Sequence, residues 1–305
     1  MSKYKLKKLV EALDLSEVDR FQQQRRKRVG RKGFKPSSYL KAWMLQHLLG
    51  IPSERQLVPR LEDEPELRRL CKFSRVPCRS AFCRARKRLG LKGIEHLFDW
   101  LVQKAKSIGL VNARIVAMDS TDYEAYCKGK KKLNLRSDQD ARWGYSTLRG
   151  RVFGYKAHYI CDTEAELPLA MMVLPANRHD SEAFAPVFKK LLGHFVAGIQ
   201  KFLADCAYDA LEIRKALHDI KAVIARNGRG KFESETPKDP DYRKRVAIER
   251  INSRAKIELG LDNLKMSGLW AASFHATIVM CSMLYAAIGS KLAGFTDWRS
   301  IVNLR

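Results

Sequence analysis

Apolar positions recur at helical spacing through the first 110 residues, and from Arg114 the period changes to that of strands. Leu6, Leu9, Val10, Leu13 and Leu15 predict an opening amphipathic helix, and Tyr39 to Leu49 predicts an apolar one. Ser53 with Gln56 reads as a capping box that opens another helix. Pro77 precedes a helix that stops at Gly90, burying Ala81, Ala85 and Leu89 and exposing Arg79, Arg84, Arg86, Lys87 and Arg88. Further on, short apolar runs predict strands at 114–119, 152–161, 167–174, 200–205 and 221–226. Helices are expected at about 181–192, 209–218, 241–259 and 268–290. The chain divides on this pattern into an all-α domain, residues 1–110, and an α/β domain, residues 111–305.

The polar positions add chemistry to that frame. In the predicted helix over 241–259, Tyr242, Arg245, Glu249 and Lys256 follow the spacing Tyr-x2-Arg-x3-Glu-x6-Lys. At about 100° per residue these four fall within an arc of roughly 60°. Beside them lies an apolar stripe of Ile248, Ile251, Ala255 and Leu259. A solvated face with an Arg245–Glu249 ion pair explains the polar stripe as well as a site does. Two more acids bear on the choice. Asp119 ends the apolar run Ile115-Val116-Ala117-Met118, and Asp205 ends Phe202-Leu203-Ala204. The C-terminal end of a buried strand is where open α/β sheets carry their sites, although a lone Asp there also serves as a turn residue or helix cap. Three converging carboxylates repel one another unless hard cations sit among them. Two Mg²⁺ ions, with Mn²⁺ as a substitute, held by Asp119, Asp205 and Glu249 would make a phosphodiester-cleaving centre. His158 and His179 are expected near it as core or DNA-contacting residues, since such metals prefer oxygen.

Charge names the partner. A formal net charge of +25 on 305 residues calls for a polyanion, nucleic acid or an anionic membrane surface. Arg25, Arg26, Lys27, Arg28, Arg31, Lys32 and Lys35 crowd into eleven residues and read as an arm on phosphates or as a solvated loop. The basic helix ending at Gly90 fits a groove-entering element of a helix-turn-helix-like domain, with Arg79 and Arg84 as base readers, or a basic scaffold helix. The loop 128–151 is also basic and would leave the first strand near the acids. Seven cysteines without a CxxC pair point to a reducing cytoplasm, and the Cys71, Cys78, Cys83 cluster lacks zinc spacing. No signal-peptide core opens the chain. Leu269 to Gly289 contains no charged residue and is long enough to span a bilayer, but its small and polar residues fit a buried helix better. No membrane role is expected.

In these residues the chain resembles the DDE transposases of bacterial and archaeal insertion sequences, the group with the Tyr-Arg-Glu-Lys helix. The first acid matches in Asp119-Ser120-Thr121, the second in Ala204-Asp205-Cys206-Ala207-Tyr208-Asp209, and the third in the four-residue spacing. Phe153 to His158, Ala176 to Ser181 and Gly50 to Leu57 look like further family blocks. The resemblance implies an α/β RNase H-like catalytic domain after an all-α helix-turn-helix-like domain. Its order, three strands, a helix, then alternation, sets the first and fourth strands side by side and so juxtaposes Asp119 and Asp205. It further implies a homodimer on double-stranded DNA in a bacterial or archaeal cytoplasm, near the nucleoid. Such a protein would bind the element's terminal inverted repeats, cut at its ends and join the 3′-hydroxyls to target DNA. Tyr242, Arg245 and Lys256 would hold phosphates beside the scissile bond. Some relatives carry a β-rich insertion between the last two acids; the 43 residues that separate Asp205 and Glu249 leave no room for one, so a DNA hairpin intermediate stays open. Two alternatives remain: a transposase-derived DNA-binding protein without catalysis, and an RNase H-like nuclease that never joins strands.

Overall fold

The structure, a computed structural model, describes residues 3–23, 33–127, 137–146, 150–226, 228 and 236–297. They form two compact units. The first comprises residues 1–104, 255–263 and 277–305, and the second residues 105–254 and 264–276.

In the first unit, α1 (Lys3–Ala12) and α2 (Ser16–Gln23) lead to α3 (Pro36–Leu48), α4 (Glu54–Asp63) and α5 (Pro65–Leu70). Leu6, Leu9, Val10, Leu13 and Leu15 are all buried, as their spacing requires. Helix α3 is buried almost all round, its polar Ser37, Ser38, Lys41, Gln46 and His47 covered along with its apolar residues. Phe34, Tyr39, Trp43, Phe73 and Phe82 pack mostly edge-to-face around it, with centroids 5.1–6.3 Å apart. Ser53 does occupy the cap position of α4, yet its side chain makes no capping hydrogen bond. Glu54 is drawn inward instead, accepting from Trp43 Nε1 at 2.6 Å and pairing with Arg86.

That pair corrects the reading of α6 (Arg79–Ser107). The helix does break at Gly90, whose φ of 63° is left-handed, but a second helical stretch continues past it. Ala85 and Leu89 are buried and Phe82 joins them, whereas Ala81 is only partly covered. Arg79, Arg84, Lys87 and Arg88 are exposed as expected. Arg86 is buried, with its guanidinium 5.7 Å over the Trp43 ring and its charge met by Glu54. A cation with an internal acid and an aromatic face can leave the surface.

The second unit is built on a six-stranded sheet: β1 (Ile115–Glu124), β2 (Arg142–Ser146), β3 (Gly150–Asp162), β4 (Leu167–Pro175), β5 (Lys201–Ala204) and β6 (Lys221–Ile224). Its path runs β2-β3-β1-β5-β6, with β4 also paired to β3. The β1, β3 and β4 pairings are antiparallel; β1 with β5 and β5 with β6 are parallel. The expected side-by-side placement of the first strand and the strand over 200–205 is therefore present. Two expectations change. Strand β1 does not end at Asp119 but runs to Glu124, because Thr121 and Tyr123 alternate inward opposite β3. Within the stretch read as a loop, residues 142–146 form β2 against the start of β3. Residues 128–136 and 147–149 of that loop, and the arm residues Arg26, Arg28, Arg31 and Lys32, lie outside the described residues.

Helix α7 (Phe184–His194) packs on β3 and β4, with the rings of Phe184 and Phe188 meeting Phe202 of β5 edge-on. The short α8 (Leu211–Ala216) links β5 and β6. The segment read as one helix over 241–259 is three: a 3-10 turn at Pro240–Arg245, α9 (Val246–Ser253), and a π turn at Arg254–Glu258. Pro240 and the Asp239 cap start the tighter turn, Asp239 accepting from the Asp241 N–H at 2.9 Å. The apolar stripe holds all the same, with Ile248, Ile251, Ala255 and Leu259 buried. The last helix, α10 (Leu269–Leu292), is long and apolar enough to cross a membrane, but 94% of its most apolar 18-residue window is buried inside the protein.

Candidate functional site

The parallel register of β1 and β5 builds the acidic site. Ala117 pairs with Leu203, and two residues further on stand Asp119, still within β1, and Asp205, extended and just past the end of β5. Side chains two residues apart share a face. The two acids therefore emerge on the same side of neighbouring strands, whose axes lie about 4.8 Å apart in such sheets. Asp205 also caps a 3-10 turn, accepting from the Ala207 N–H at 3.0 Å, so the cap and the site readings of this residue hold together. Asp119 accepts from the Ser120 N–H at 2.8 Å.

Burial and mutual repulsion govern the charges. Burial first, and then the Asp205 carboxylate, push the Asp119 pKa up to about 7, while Ser120 and Arg245 partly offset the rise. Burial also raises Asp205, against the Ala207 hydrogen bond and Arg245. Both shifts report, first of all, carboxylates taken out of water.

Helix α9 lies against β1 and β3 and carries Glu249. Tyr159 fixes it there: this buried phenol, opposite Asp119 in the β1–β3 register, donates to Ile248 O at 3.3 Å and to Asn252. Glu166 ties down the far end, accepting from Arg250 at 2.5 Å and from Arg254 at 3.3 Å. Arg245 then connects the acids, 3.4 Å from Asp119 and 3.8 Å from Glu249. Tyr242 stands one 3-10 turn before it, the guanidinium 5.9 Å from its ring. The structure thus brings together Asp119, Asp205, Tyr242, Arg245 and Glu249. Lys256 falls on the π turn, within the residues of the first unit.

Among the described residues no three His, Cys, Asp or Glu side chains stand close enough to hold one metal ion. Glu249 is 61% exposed and faces Arg245 instead of the aspartates. Asp119 and Asp205 nevertheless fit a divalent cation. They offer hard oxygen donors two residues past the last paired positions of β1 and β5, and a cation there would offset the cost of burying their charge.

Two participants escaped the sequence reading. Asp180 accepts from Ser120 Oγ at 3.2 Å and from Lys156 Nζ at 2.9 Å, and its charge raises both Asp119 and Asp205. Tyr208 is fully buried beside all three aspartates, which add to the effect of burial in raising its pKa. Both lie in the blocks 176–181 and 204–209, where polar residues outside regular strands gave no period to follow. His158 is fully buried 3.8 Å from Asp180, and burial lowers it to about 4, so its ring is neutral at pH 7. His179 is exposed and caps a 3-10 turn (Asp180–Ala183), accepting from the Ser181 N–H at 3.3 Å. In the first unit, Arg79 and Arg84 present exposed side chains on α6.

Comparison with known proteins gives these residues a setting. No curated protein sequence matches. Solved structures that superpose include a piggyBac transposase synaptic complex with hairpin DNA, at 9% identity and a TM-score of 0.49, covering 97% of this chain and 76% of that one. A Mos1 transposase paired-end complex with left transposon end is 14% identical with a TM-score of 0.24, over 80% of this chain and 85% of that one. A Mos1 strand transfer complex is 15% identical with a TM-score of 0.25, over 88% and 84%. Residues 2–88 match a family model described as a transposase domain (DUF772). Residues 112–285, more than half of the chain, match the transposase DDE domain, and the sheet they form has the RNase H-like order. The chain belongs to the transposase DDE domain family: it is a metal-dependent DNA transposase that cuts and joins DNA ends.

Proposed function

We propose that this transposase works on the terminal inverted repeats of a mobile element, with Asp119, Asp205 and Glu249 as the metal-holding acids. The observation that carries the reading is the place of Asp119 and Asp205, each two residues past the paired Ala117 and Leu203, with Arg245 touching both Asp119 and Glu249. Asp119 and Asp205 would hold one Mg²⁺, and Asp119 and Glu249 a second, with Mn²⁺ as a substitute. When bound, the ions supply activation of an oxygen nucleophile and charge stabilisation at the leaving oxygen. The chain's own residues do the rest. Tyr159 and Glu166 hold α9 in place, and with it Glu249 beside Arg245. Arg245, Tyr242 and Lys256 grip the phosphates beside the scissile bond. No side chain need act as nucleophile, so the same centre serves water in cutting and a freed 3′-hydroxyl in joining.

Residues 1–110, as a helix-turn-helix-like domain, would read the repeats through Arg79 and Arg84, and the arm residues Arg26, Arg28, Arg31 and Lys32 would take phosphates. Residues 111–305 would carry the catalysis. A homodimer on DNA would pair the two element ends. Seven free cysteines and the buried α10 support a cytoplasmic protein at the nucleoid of a bacterium or archaeon.

The test is cleavage and strand transfer on DNA carrying the element's ends in Mg²⁺, with Asp119→Ala, Asp205→Ala and Glu249→Ala beside the parent chain. Each variant is expected to bind the ends and to lose both reactions. Full cleavage by any of the three would remove that residue from the centre. Cutting without joining in the parent chain would reduce it to a nuclease.

A further inference from the structure

Beside the acids lies a cleft of about 770 Å³, lined by β2, the start of β3 and the turn after β4. Its walls combine exposed aromatic rings with cations. Trp143 and Tyr145 are 61% and 72% exposed on β2, two residues apart and so on one face. Their cross-strand partners are Phe153, with its ring 5.4 Å from Trp143, and Arg151. The rest of the lining includes Lys156, Arg178 and Asp180.

Local geometry keeps the cleft open. Gly144 sits between the two aromatic residues, where a Cβ would come within 2.2 Å of Ala176 O. Only glycine lets β2 lie this close to the turn. Phe153 braces the Trp143 ring from one side and leaves most of it to solvent. The cleft also joins the acidic site: Asp180 bonds Lys156 on the cleft side and Ser120, next to Asp119, on the other.

We propose that this cleft receives an unpaired base of the DNA next to the cleaved bond, stacked on Trp143 and Tyr145. Arg151 and Arg178 take the phosphates on either side of it. Exposed aromatic rings flanked by cations match a nucleotide in both parts, since every base has a π face and every link a negative charge. A paired base keeps its faces inside the duplex stack and cannot use them. The cleft therefore distinguishes frayed or single-stranded DNA from intact duplex. This assignment rests on the transposase reading, but concerns residues apart from the three acids.

The full chain is titrated with fluorescent dT20 and with a blunt duplex of equal length, and its metal-dependent cutting of element ends is followed in parallel. Trp143→Ala and Tyr145→Ala are each expected to weaken dT20 binding at least about five-fold, because one stacked base contributes about 1–3 kcal/mol. Duplex affinity should stay within two-fold, and Trp143→Phe should recover most of the loss. Thermal melting checks folding, which the exposure of both rings protects. Unchanged dT20 affinity in both alanine variants overturns the proposal, as does an equal loss on duplex. If the parent chain cuts DNA and the variants bind dT20 normally, the cleft assignment alone falls. If the parent chain neither binds nor cuts DNA, both fall.

Discussion

At the residue scale the site is a balance of uncompensated charge and fixed position. A carboxyl whose folded pKa rises from 3.8 to about 7 keeps its proton in the folded state over a range where the unfolded chain has lost it. That group's contribution to stability is present at low pH and is lost as pH climbs from about 4 to 7. Asp119→Asn keeps the neutral shape at every pH. In metal chelator it should therefore melt higher than the parent chain at pH 8, melt alike near pH 4, and cut no DNA. Mg²⁺ should raise the parent's melting temperature at pH 8 and the variant's much less. Calorimetry at the two pH values, with chelator and with Mg²⁺, checks this; parallel pH profiles for the two proteins would contradict it. Position is set by Tyr159, whose hydroxyl spans from beside Asp119 to α9. Tyr159→Phe leaves the Ile248 carbonyl and Asn252 short of a donor and should cost about 1–2 kcal/mol. A misplacement near 1 Å can cost on the order of 10²-fold in rate. Cleavage at saturating DNA should thus fall at least ten-fold with DNA affinity unchanged. Equal cleavage rates would show that Tyr159 serves packing alone.

At the element scale, the sequence was most legible where one period ran unbroken. The strand over 152–161, the helix over 268–290 and the buried stripe Ile248, Ile251, Ala255 and Leu259 were readable because burial repeats regularly through them. It was least legible where a polar residue interrupts an element without ending it. Asp119-Ser120 looks like a strand end, yet pairing with β3 carries β1 on to Glu124. The stretch 241–259 keeps a helical pattern, while hydrogen bonding at its two ends selects tighter and wider turns. No periodicity could show Asp180, which reaches the site through Ser120 and Lys156. In α6, Arg84 and Arg86 read alike from sequence, and only the fold assigns Arg86 to Glu54 and Trp43. The two should therefore separate by experiment. Arg86→Ala strands a largely covered carboxylate and should cost about 3 kcal/mol of stability. Arg84→Ala should change stability by no more than about 0.5 kcal/mol, while a base reader lost there weakens the cognate end by about 1–3 kcal/mol. Thermal melts beside end-binding titrations distinguish them; an intact melt for Arg86→Ala would mean that Glu54 is satisfied without it.

At the scale of the whole molecule, the net charge of +25 is a property that no single element explains. Part of it lies in the arm from Arg25 to Lys35, seven cations within eleven residues. A charge that only keeps the protein soluble would not enter the salt dependence of DNA binding. A charge that sits on phosphates would, because each phosphate it neutralises releases counterions, and the slope of log K against log salt is about −0.9 per contact. Replacing Arg26, Arg28, Arg31 and Lys32 together by Gln should flatten that slope by about 3 to 4 if all four make contacts. The loss should be the same on element ends and on unrelated duplex, since phosphate contacts carry no sequence information. Cleavage at saturating DNA should be unaffected, because the acids and α9 keep all their partners. Titrations from about 50 to 200 mM salt on both DNAs give the slopes directly. An unchanged slope would make the arm a solvated loop and transfer its assigned role to the exposed cations of α6. A loss confined to element ends would mean that the arm reads sequence, and that Arg79 and Arg84 are not alone in recognition.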